Sequence, residues 1–556
     1  NDSTSSSTTL NAVEEIRSLS DKTLSGGMSS MVLDTMNLSN KEIAIYVVIA
    51  VTLCLIVLEL SLDSYLVPIL LLGNIGISLV FNLGTNVFLG DISYITKALV
   101  AVLQLGVTTD FSIFLYHAYE KNKKEMSNIN EAMAKSIKET FTSVSASSIT
   151  TIAGFLVLCA MQLTLGANLG IVMGKGVLIG LISVITIFPS LLLVFDKLID
   201  KTKHNSIIPD FSKLNTFIIK NHITIFIIFL ILLVPSYLAY NHVDVYYKMD
   251  ESLPKYLESI KANQELKDKF NIVSPEIIIL NKDTKEETIT NMVHDLKEVE
   301  GIDFILSESS LEESGISTDM LPSSLSSIFS TDKYQLLLLN STYDIATDEL
   351  NDQITTVNNI IKSYDKTAIL AGEGPLMKDL ITTSDTDFVN VNSLSLICIL
   401  IIMLIALKSI SLPILLIGSI EFAIFMNMGI SYFGGVTLPF IAPIVLGTIQ
   451  LGATIDYAIL LTTNYLSHKK DSKDKYEAMQ KAMNYSASSI LVSGLCFFAA
   501  TIGVGLYSKI DLVGSLCTLI SRGALISMFV VIFILPSILL IFDKLIEKTT
   551  FKKENV

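Results

Sequence analysis

Long apolar runs alternate with polar segments along this chain, and most runs have the length of a membrane-spanning helix. About 20 mostly apolar residues are needed to cross the hydrocarbon layer of a bilayer. Eleven such runs occur, near residues 41–61, 66–87, 93–118, 144–164, 169–195, 223–240, 389–408, 411–432, 437–463, 486–507 and 512–542. The pattern predicts a polytopic α-helical membrane protein.

The lysines predict its orientation, because basic loops stay on the cytoplasmic side of a membrane. Lysines cluster after the third, fifth and ninth runs and at the end of the chain, whereas the alternate short loops have almost none. This alternation predicts a cytoplasmic linker at 201–222 and a cytoplasmic tail at 546–556. It places residues 1–40 and 241–388 outside the cytoplasm.

The polar segment 241–388 mixes two kinds of pattern. Short apolar stretches predict strands, and longer amphipathic stretches predict helices. The strand candidates are EIIIL, IDFIL, YQLLLL and KTAILAG, and the helix candidates are 257–270, 284–299 and 345–363. A small α+β domain built from βαβ-type units follows. The Ser-rich stretch near 308–330 is predicted to be a loop.

The two halves of the chain repeat each other. LPILLIGSIEFAIFMNMG (412–429) resembles VPILLLGNIGISLVFNLG (67–84), and FPSLLLVFDKLIDKT (188–202) returns as LPSILLIFDKLIEKT (535–549). Because both copies run in the same direction, the repeat is parallel. Each half would be an extracytoplasmic domain followed by five helices, with a sixth helix leading into the domain.

This repeat predicts the domain organisation. Residues 1–40 match the end of 241–388, so we expect them to be the tail of a first extracytoplasmic domain. The helix that precedes this domain would bring the number of helices to twelve, and we expect it to be missing because the chain is truncated at its N-terminus. The remaining predicted parts are a five-helix bundle at 41–200, a connecting helix at 223–240, the second extracytoplasmic domain at 241–388 and a second five-helix bundle at 389–545.

Composition narrows the function. The chain is 51% hydrophobic with a net charge of −15, and residues 241–388 hold 28 acidic residues against 12 lysines. This external acidity argues against nucleic acid as a partner. The five cysteines all lie in apolar runs, so no disulfide framework supports the external domain. The phosphate-binding motif GxxxxGK[ST] is absent from the sequence, which argues against ATP as the energy source.

Two acidic residues lie at matching positions inside apolar runs. Asp110 stands in LGVTTDFSIFL and Asp456 in LGATIDYAILL. A charged carboxylate at the centre of a bilayer costs about 2.5–3.5 kcal/mol, so such a group faces other helices or water and is suited to carrying protons. Gly106 and Gly452 precede the acids by one turn and predict close packing of a neighbouring helix. A purely structural hydrogen bond between helices is the alternative, and the duplication argues against it.

Hydroxyl groups crowd the next helix of each half, at the two SASSI motifs and just after the first. Ser147 and Ser488 are the candidates that stand at matching positions, and Thr150 and Thr151 follow in the first half. We expect some of these hydroxyls to hydrogen-bond the acids.

These motifs resemble the RND superfamily of secondary transporters, specifically its MMPL branch of lipid and hydrophobic-compound exporters. The resemblance covers nearly the whole chain and includes GVTTDF, GATIDY and the Ser-rich helices. It implies an RND fold with a porter-like α+β domain, and a proton relay of Asp110, Asp456 and Tyr457 with Ser147 and Ser488. Phe111 departs from the family pattern, which has Tyr there in many members, so an asymmetric relay with Asp110–Tyr457 as the working pair is implied.

The resemblance also implies the activity. We expect an exporter of lipids or of hydrophobic or amphiphilic compounds that is driven by the proton motive force, and neither an enzyme nor a cofactor-dependent protein. Its partners would be protons, the substrate and membrane lipids, and a homo-oligomer is compatible with the sequence. The Lys-rich, Arg-poor composition favours a bacterial plasma membrane.

Other polar residues in the apolar runs have weaker interpretations. Lys175 and Arg522 stand at equivalent positions and are predicted to pair with an acid or a lipid headgroup, with a snorkelling anchor as the alternative. Glu421 has no acidic counterpart in the first half and is a candidate substrate-facing group. His117 and His294 are isolated, and no metal-binding motif is present.

Several other functions are compatible with these motifs. An RND-like accessory of protein secretion or a sterol- or lipid-sensing protein would share the same core. An intramembrane aspartyl protease also uses two membrane acids, but its motif is GxGD, whereas here Gly stands four residues before Asp. A non-transporting scaffold would tolerate Asp110→Asn, and a proton-coupled transporter would not.

Overall fold

The computed structural model describes residues 3–20, 22–90, 92–248, 250–307 and 329–551. The chain forms two compact units. The membrane unit comprises Asn37–Tyr246 and Thr386–Val556, and the α+β unit comprises Asn1–Met36 and Tyr247–Asp385. The predicted Ser-rich loop lies almost entirely outside the described residues.

Helices make up most of the described chain. In chain order they are α1 Ser7–Ser18, α2 Met28–Ser61, α3 Leu66–Gly84, α4 Tyr94–Glu125, α5 Ile129–Val157, α6 Thr164–Lys201, α7 Ser212–Lys220, α8 His222–Tyr240, α9 Glu258–Phe270, α10 Glu286–Lys297, α11 Asp348–Tyr364, α12 Glu373–Leu407, α13 Ser411–Phe433, α14 Ile441–His468, α15 Lys475–Tyr507, α16 Asp511–Phe529, α17 Leu535–Ile541 and α18 Asp543–Thr549. The strands are β1 Val245–Tyr246, β2 Ser274–Asn281, β3 Ile302–Leu306, β4 Tyr334–Ser341, β5 Ile369–Gly372 and β6 Leu438–Pro439.

The long apolar helices agree with the predicted membrane runs. Within the described residues, ten helices are long and apolar enough to cross a membrane, and an eleventh is reached if the bent pair Ile129–Phe141 and Val144–Ala160 counts as one span. Each overlaps one of the eleven predicted runs. The polytopic α-helical fold class is therefore confirmed.

Two spans begin well before their apolar runs. Helix α2 starts at Met28 and α12 at Glu373, each directly after a glycine with positive φ, Gly27 or Gly372. After the first turn of each helix no Gly or Pro interrupts the sequence, so the polar stretch continues as helix into the apolar run. The apolar pattern alone marks only the second part of each helix.

The repeat is also visible in polar contacts near the lysine-bearing ends of the helices. In the first bundle, Asp196 accepts hydrogen bonds from Tyr119 Oη at 2.7 Å and from Lys123 Nζ at 2.6 Å. The second bundle repeats this cluster with Tyr465, Lys469 and Asp543. The duplicated FDK motif thus joins α6 to α4 in one half, and α18 to α14 in the other.

The α+β unit contains a four-stranded antiparallel sheet in the order β3-β4-β2-β5. Because β4 lies between β2 and β3, and β2 between β4 and β5, the segments β2-α10-β3 and β4-α11-β5 are two interlocked split βαβ units, the ferredoxin-like arrangement. Apolar side chains of α10, α11 and the sheet form its core. The four predicted strands and three predicted helices of this segment are confirmed.

One carboxyl group enters that core. Glu276 lies on β2, on the same side as the core residues Ile278 and Leu280, and is only 1% exposed. Its two carboxyl oxygens have no hydrogen-bond partner among the described residues. Burial raises the pKa of Glu276 from its usual 4.5 to about 7.

Candidate functional site

The two predicted relay acids come from different bundles and meet in the membrane unit. Asp110 lies on α4 and Asp456 on α14, with exposed fractions of 3% and 5%. These two helices are the most thoroughly buried of the described spans. The two carboxyl groups are close enough to interact electrostatically. The chain therefore places two acids in one shielded region that both halves of the repeat build.

Asp456 is contacted by the hydroxyl groups of the opposite bundle. Thr150 Oγ1 donates to one carboxyl oxygen and Thr151 Oγ1 to the other, each at 3.4 Å. Thr151 also bonds the backbone oxygen of Gly452 at 3.0 Å. Ser147 lines the same cavity as Asp456. The Ser- and Thr-rich face of α5 thus contacts the acid of the second repeat.

Asp110 has a different environment. Its Oδ1 atom and the phenolic oxygen of Tyr457 are both buried without a hydrogen-bond partner among the described residues. Tyr457 is fully buried and interacts electrostatically with both acids. The Asp110–Tyr457 hydrogen bond that the resemblance implies is therefore not formed in this conformation, although the groups share one region.

The serine that faces Asp110 is not one of the two candidates at matching positions. Ser488 lines a cavity beside Asp456 rather than bonding Asp110, and the side chain that faces Asp110 from α15 is the buried Ser493. The repeat offers no signal for Ser493, because its counterpart in the first half is Ile152. Its spacing of seven residues from Ser486, on one helix face, is the signal that was available.

Each predicted glycine lies where a helix of the other bundle comes close. A Cβ on Gly106 would lie 2.4 Å from the ring of Phe497, and a Cβ on Gly452 would lie 3.4 Å from Cα of Gly154. The second contact brings the backbones of α5 and α14 together with no side chain between them. That approach lets Thr151 reach Asp456.

A cavity of about 460 Å³ extends between the two bundles to Asp456. Helices α4, α5, α14 and α15 all contribute to its wall. Its lining includes Lys121 and Glu139 from the ends of α4 and α5 that lead into the lysine-rich loop. This volume holds on the order of ten water molecules, and its wall supplies the polar partners that such water requires.

The membrane cations have neutral partners. Lys175 Nζ donates to Asn82 O, Thr85 Oγ1 and Asn86 Oδ1 at 2.6–3.0 Å. Arg522 donates to Asn427 and Ser431 at 2.6–2.7 Å. Neither cation has an ion-pair partner among the described residues, so the acid partner that the sequence suggested is not found there.

These cations belong to a duplicated amide cluster that sequence reasoning missed. In the first bundle, Asn82 Nδ2 donates to Gln104 Oε1 at 2.8 Å, and Gln104 Nε2 donates to the Gly176 oxygen at 3.2 Å. The second bundle repeats these bonds with Asn427, Gln450 and Gly523. The signal was available in the sequence, because the same polar residues recur at the repeat offset.

Glu421 lies apart from this arrangement in its contacts. It is a half-buried residue of α13 that lies close enough to Tyr240 of α8 to interact with it electrostatically. The adjacent Phe422 packs against Phe229 of α8. Among the described residues, no group of three His, Cys, Asp or Glu side chains is arranged to hold a metal ion.

Two curated proteins share short stretches with this chain. One is named "Putative membrane protein MJ1562", from Methanocaldococcus jannaschii, and is 34% identical over 95 residues, 17% of this chain and 24% of the relative. The other is named "Putative membrane protein ActII-3", from Streptomyces coelicolor, and is 33% identical over 102 residues, 18% of this chain and 14% of the relative. The chain thus spans a quarter or less of each relative's length.

A wider match comes from the sequence model of one family. The MMPL family model matches residues 4–206 and 252–553, which together form most of the chain. The matched segments contain both acids, both amide clusters and the four-stranded sheet. Together with its many spanning helices, this match establishes the chain as a multi-pass membrane protein. The chain belongs to the MMPL family.

Proposed function

We propose that this protein is a secondary transporter that couples proton movement to the export of lipids or other hydrophobic or amphiphilic compounds. Membership of the MMPL family supports a transporter of hydrophobic compounds. Proton coupling rests mainly on one observation: two carboxyl groups from different bundles are buried in one region, and one of them lines a polar cavity. The lysine-rich loops at the mouth of that cavity predict that it opens to the cytoplasm.

The proposed mechanism uses the cost of charge in a buried site. An uncompensated carboxylate in the membrane costs about 2.5–3.5 kcal/mol, and this cost disappears when the group is protonated. Asp456 lies at the crossing of α5 and α14, where Gly154 and Gly452 meet. A change in its protonation therefore alters the forces across the contact between the bundles. Moving one charge across the membrane potential supplies about 2.3 kcal/mol per 100 mV.

The test compares three amide substitutions in a deletion strain of the native host. Asp110→Asn and Asp456→Asn each remove one of the two buried titratable groups. Glu59→Gln makes the same chemical change in a half-buried acid of α2, away from Asp110 and Asp456, and is the control. Each variant is expressed to the wild-type level, and the lipids of the cell envelope are measured by mass spectrometry.

We expect the deletion to deplete an envelope lipid or amphiphile, and Glu59→Gln to restore it as well as wild type does. Asp110→Asn and Asp456→Asn should both fail to restore it. Full restoration by either variant of the cluster would refute proton coupling through these acids. An unchanged lipid profile with altered secreted proteins would instead support the accessory role in protein secretion.

A further inference from the structure

One histidine lies in the wall of the cavity that reaches Asp456. His117 is on α4, seven residues after Asp110. Its Nδ1 atom lies 3.3 Å from Ser489 Oγ of α15, a hydrogen bond in which the donor depends on the imidazole tautomer. His117 and Ser489 both line the cavity. The bond therefore crosses from the first bundle to the second within the cavity wall.

His117 also lines a second cavity. This cavity, of about 440 Å³, lies beside the first and shares His117, Lys121 and Ser488 with it. Its wall adds Asp63, Glu120, Lys124 and Glu125. His117 thus stands at the junction of two spaces, one of which reaches Asp456 and both of which reach the charged ends of the helices.

The groups that face His117 suit a proton carrier. Along the first cavity, the titratable or charged neighbours are Asp456, Lys121, Glu139 and Tyr485. Along the second cavity they are the four residues named above together with Lys121 and Tyr116. Of these groups, imidazole is the side chain that binds and releases protons near neutral pH without perturbation. The equivalent position in the second repeat is Thr463, so only one half of the cavity wall carries this group.

We propose that His117, positioned by Ser489, is the proton-transfer station between Asp456 and the lysine-bearing mouth of the cavity. In the release direction, the Asp456 carboxylic acid gives its proton to cavity water and becomes a carboxylate. Water passes one proton to a ring nitrogen of His117, and the imidazolium then gives one proton to water on the mouth side. One proton moves, and no bond other than those to hydrogen changes.

This inference rests on the proposed proton coupling. It also assigns which of the two acids exchanges protons with the mouth of the cavity. The cavity wall includes Asp456 but not Asp110. Asp456 is therefore the acid that exchanges protons with water at the mouth of the cavity. Asp110 exchanges protons only by way of Asp456. His117 is a proton carrier in this scheme and Ser489 a positioning residue.

The test measures how fast Asp456 changes its protonation state, so it needs no transported substrate. The full-length protein in lipid nanodiscs is given a rapid pH jump, and the carbonyl stretch of protonated carboxyl groups is followed by infrared spectroscopy. The band that disappears in Asp456→Asn is the one assigned to Asp456. The variants are His117→Gln, Ser489→Ala and, as a control, His294→Gln, whose side chain is 75% exposed in the α+β unit.

We expect His117→Gln to slow the response of Asp456 by about a hundredfold or more, the range for removal of a positioned acid–base group. Added imidazole should restore the rate, because the cavity is large enough to admit it. Ser489→Ala should slow the response less, and His294→Gln should leave it unchanged. Imidazole rescue is a result that a merely structural role of His117 would not produce.

Two results would overturn the inference alone. One is a wild-type rate in His117→Gln, and the other is a slow rate that imidazole does not restore. If the Asp456 band did not respond to pH even in the wild-type protein, the proposed proton coupling would fail together with this inference. The two proposals therefore fail in distinguishable ways.

Discussion

Replacing Glu276 with glutamine should stabilise the sheet of the α+β unit at high pH and leave it unchanged at low pH. Burial raises the pKa of Glu276 from 4.5 to about 7, so the folded unit binds this proton more tightly than the unfolded chain does. Stability therefore falls as the pH rises from about 4.5 to 7, and the full penalty is present above that window. Glutamine has nearly the same shape and stays neutral throughout.

The magnitude follows from the shift. A pKa that rises from 4.5 to about 7 corresponds to about 3 kcal/mol, since one pKa unit is about 1.4 kcal/mol. The cost is that of an ionised carboxylate with no hydrogen-bond partner among the described residues, beside Gly374, where an added Cβ would lie 2.9 Å from Glu276 Oε1. The glutamine amide and the neutral carboxyl group share the cost of lacking partners, so that part cancels when the two proteins are compared at low pH.

Hydrogen exchange of the full-length protein is the suitable assay, because it reports local opening of β2 without unfolding the membrane unit. The backbone of β2 pairs with β4 and β5, so its protected amides report on the sheet that holds Glu276. At about pH 8, Glu276→Gln should raise their protection about a hundredfold, and at about pH 4.5 the difference should nearly vanish.

The control is Glu298→Gln, which changes an exposed glutamate of the same unit and should alter the protection little at either pH. Equal protection of wild type and Glu276→Gln at high pH would refute the reasoning. A gain of the same size at both pH values would also refute it, because it would show a packing effect rather than the cost of ionisation.

Two further predictions concern the duplicated clusters of the membrane unit. Gly176→Ala should lower the melting temperature in detergent, at a cost of about 1–3 kcal/mol, because its Cβ would lie 2.4 Å from Asn82 Nδ2 and force the amide cluster apart. Gly73→Ala, where no atom lies within 4 Å of the added Cβ, should be nearly neutral, and equal effects of the two variants would contradict the close packing. Asp543→Asn should cost a similar amount by weakening charged hydrogen bonds from Lys469 and Tyr465, as measured by chemical denaturation, and an unchanged midpoint would show that the cluster contributes no stability.

Sequence reasoning succeeded where a regular pattern repeats over the whole element. Apolar runs located every described span, and short apolar stretches located all four strands of the sheet. It missed the early starts of α2 and α12, because a polar stretch without Gly or Pro carries no periodic signal of its own when it continues a membrane helix. The hydrophobic pattern identifies buried positions, whereas these polar stretches are helical because no Gly or Pro interrupts them before the membrane helix.

The site was predictable in its acids but not in their partners. Asp110 and Asp456 stood out because a carboxylate is rare in an apolar run and this one is duplicated. Which hydroxyl reaches which acid depends on how helices of different bundles cross, and no spacing within one helix encodes that crossing. Hence Ser493, rather than Ser488, faces Asp110, and the threonines of the first bundle bond the acid of the second.

The paired amide clusters have a mechanical consequence. Each cluster fastens three helices of its own half: Asn82, Gln104 and the Gly176 carbonyl in one, and the matching three groups in the other. Such bonds are costly to break in a medium without water, so each half should travel as a rigid block. Deformation during a working cycle would then concentrate at the contact between α5 and α14, where Gly154 and Gly452 leave no side chain between the two backbones.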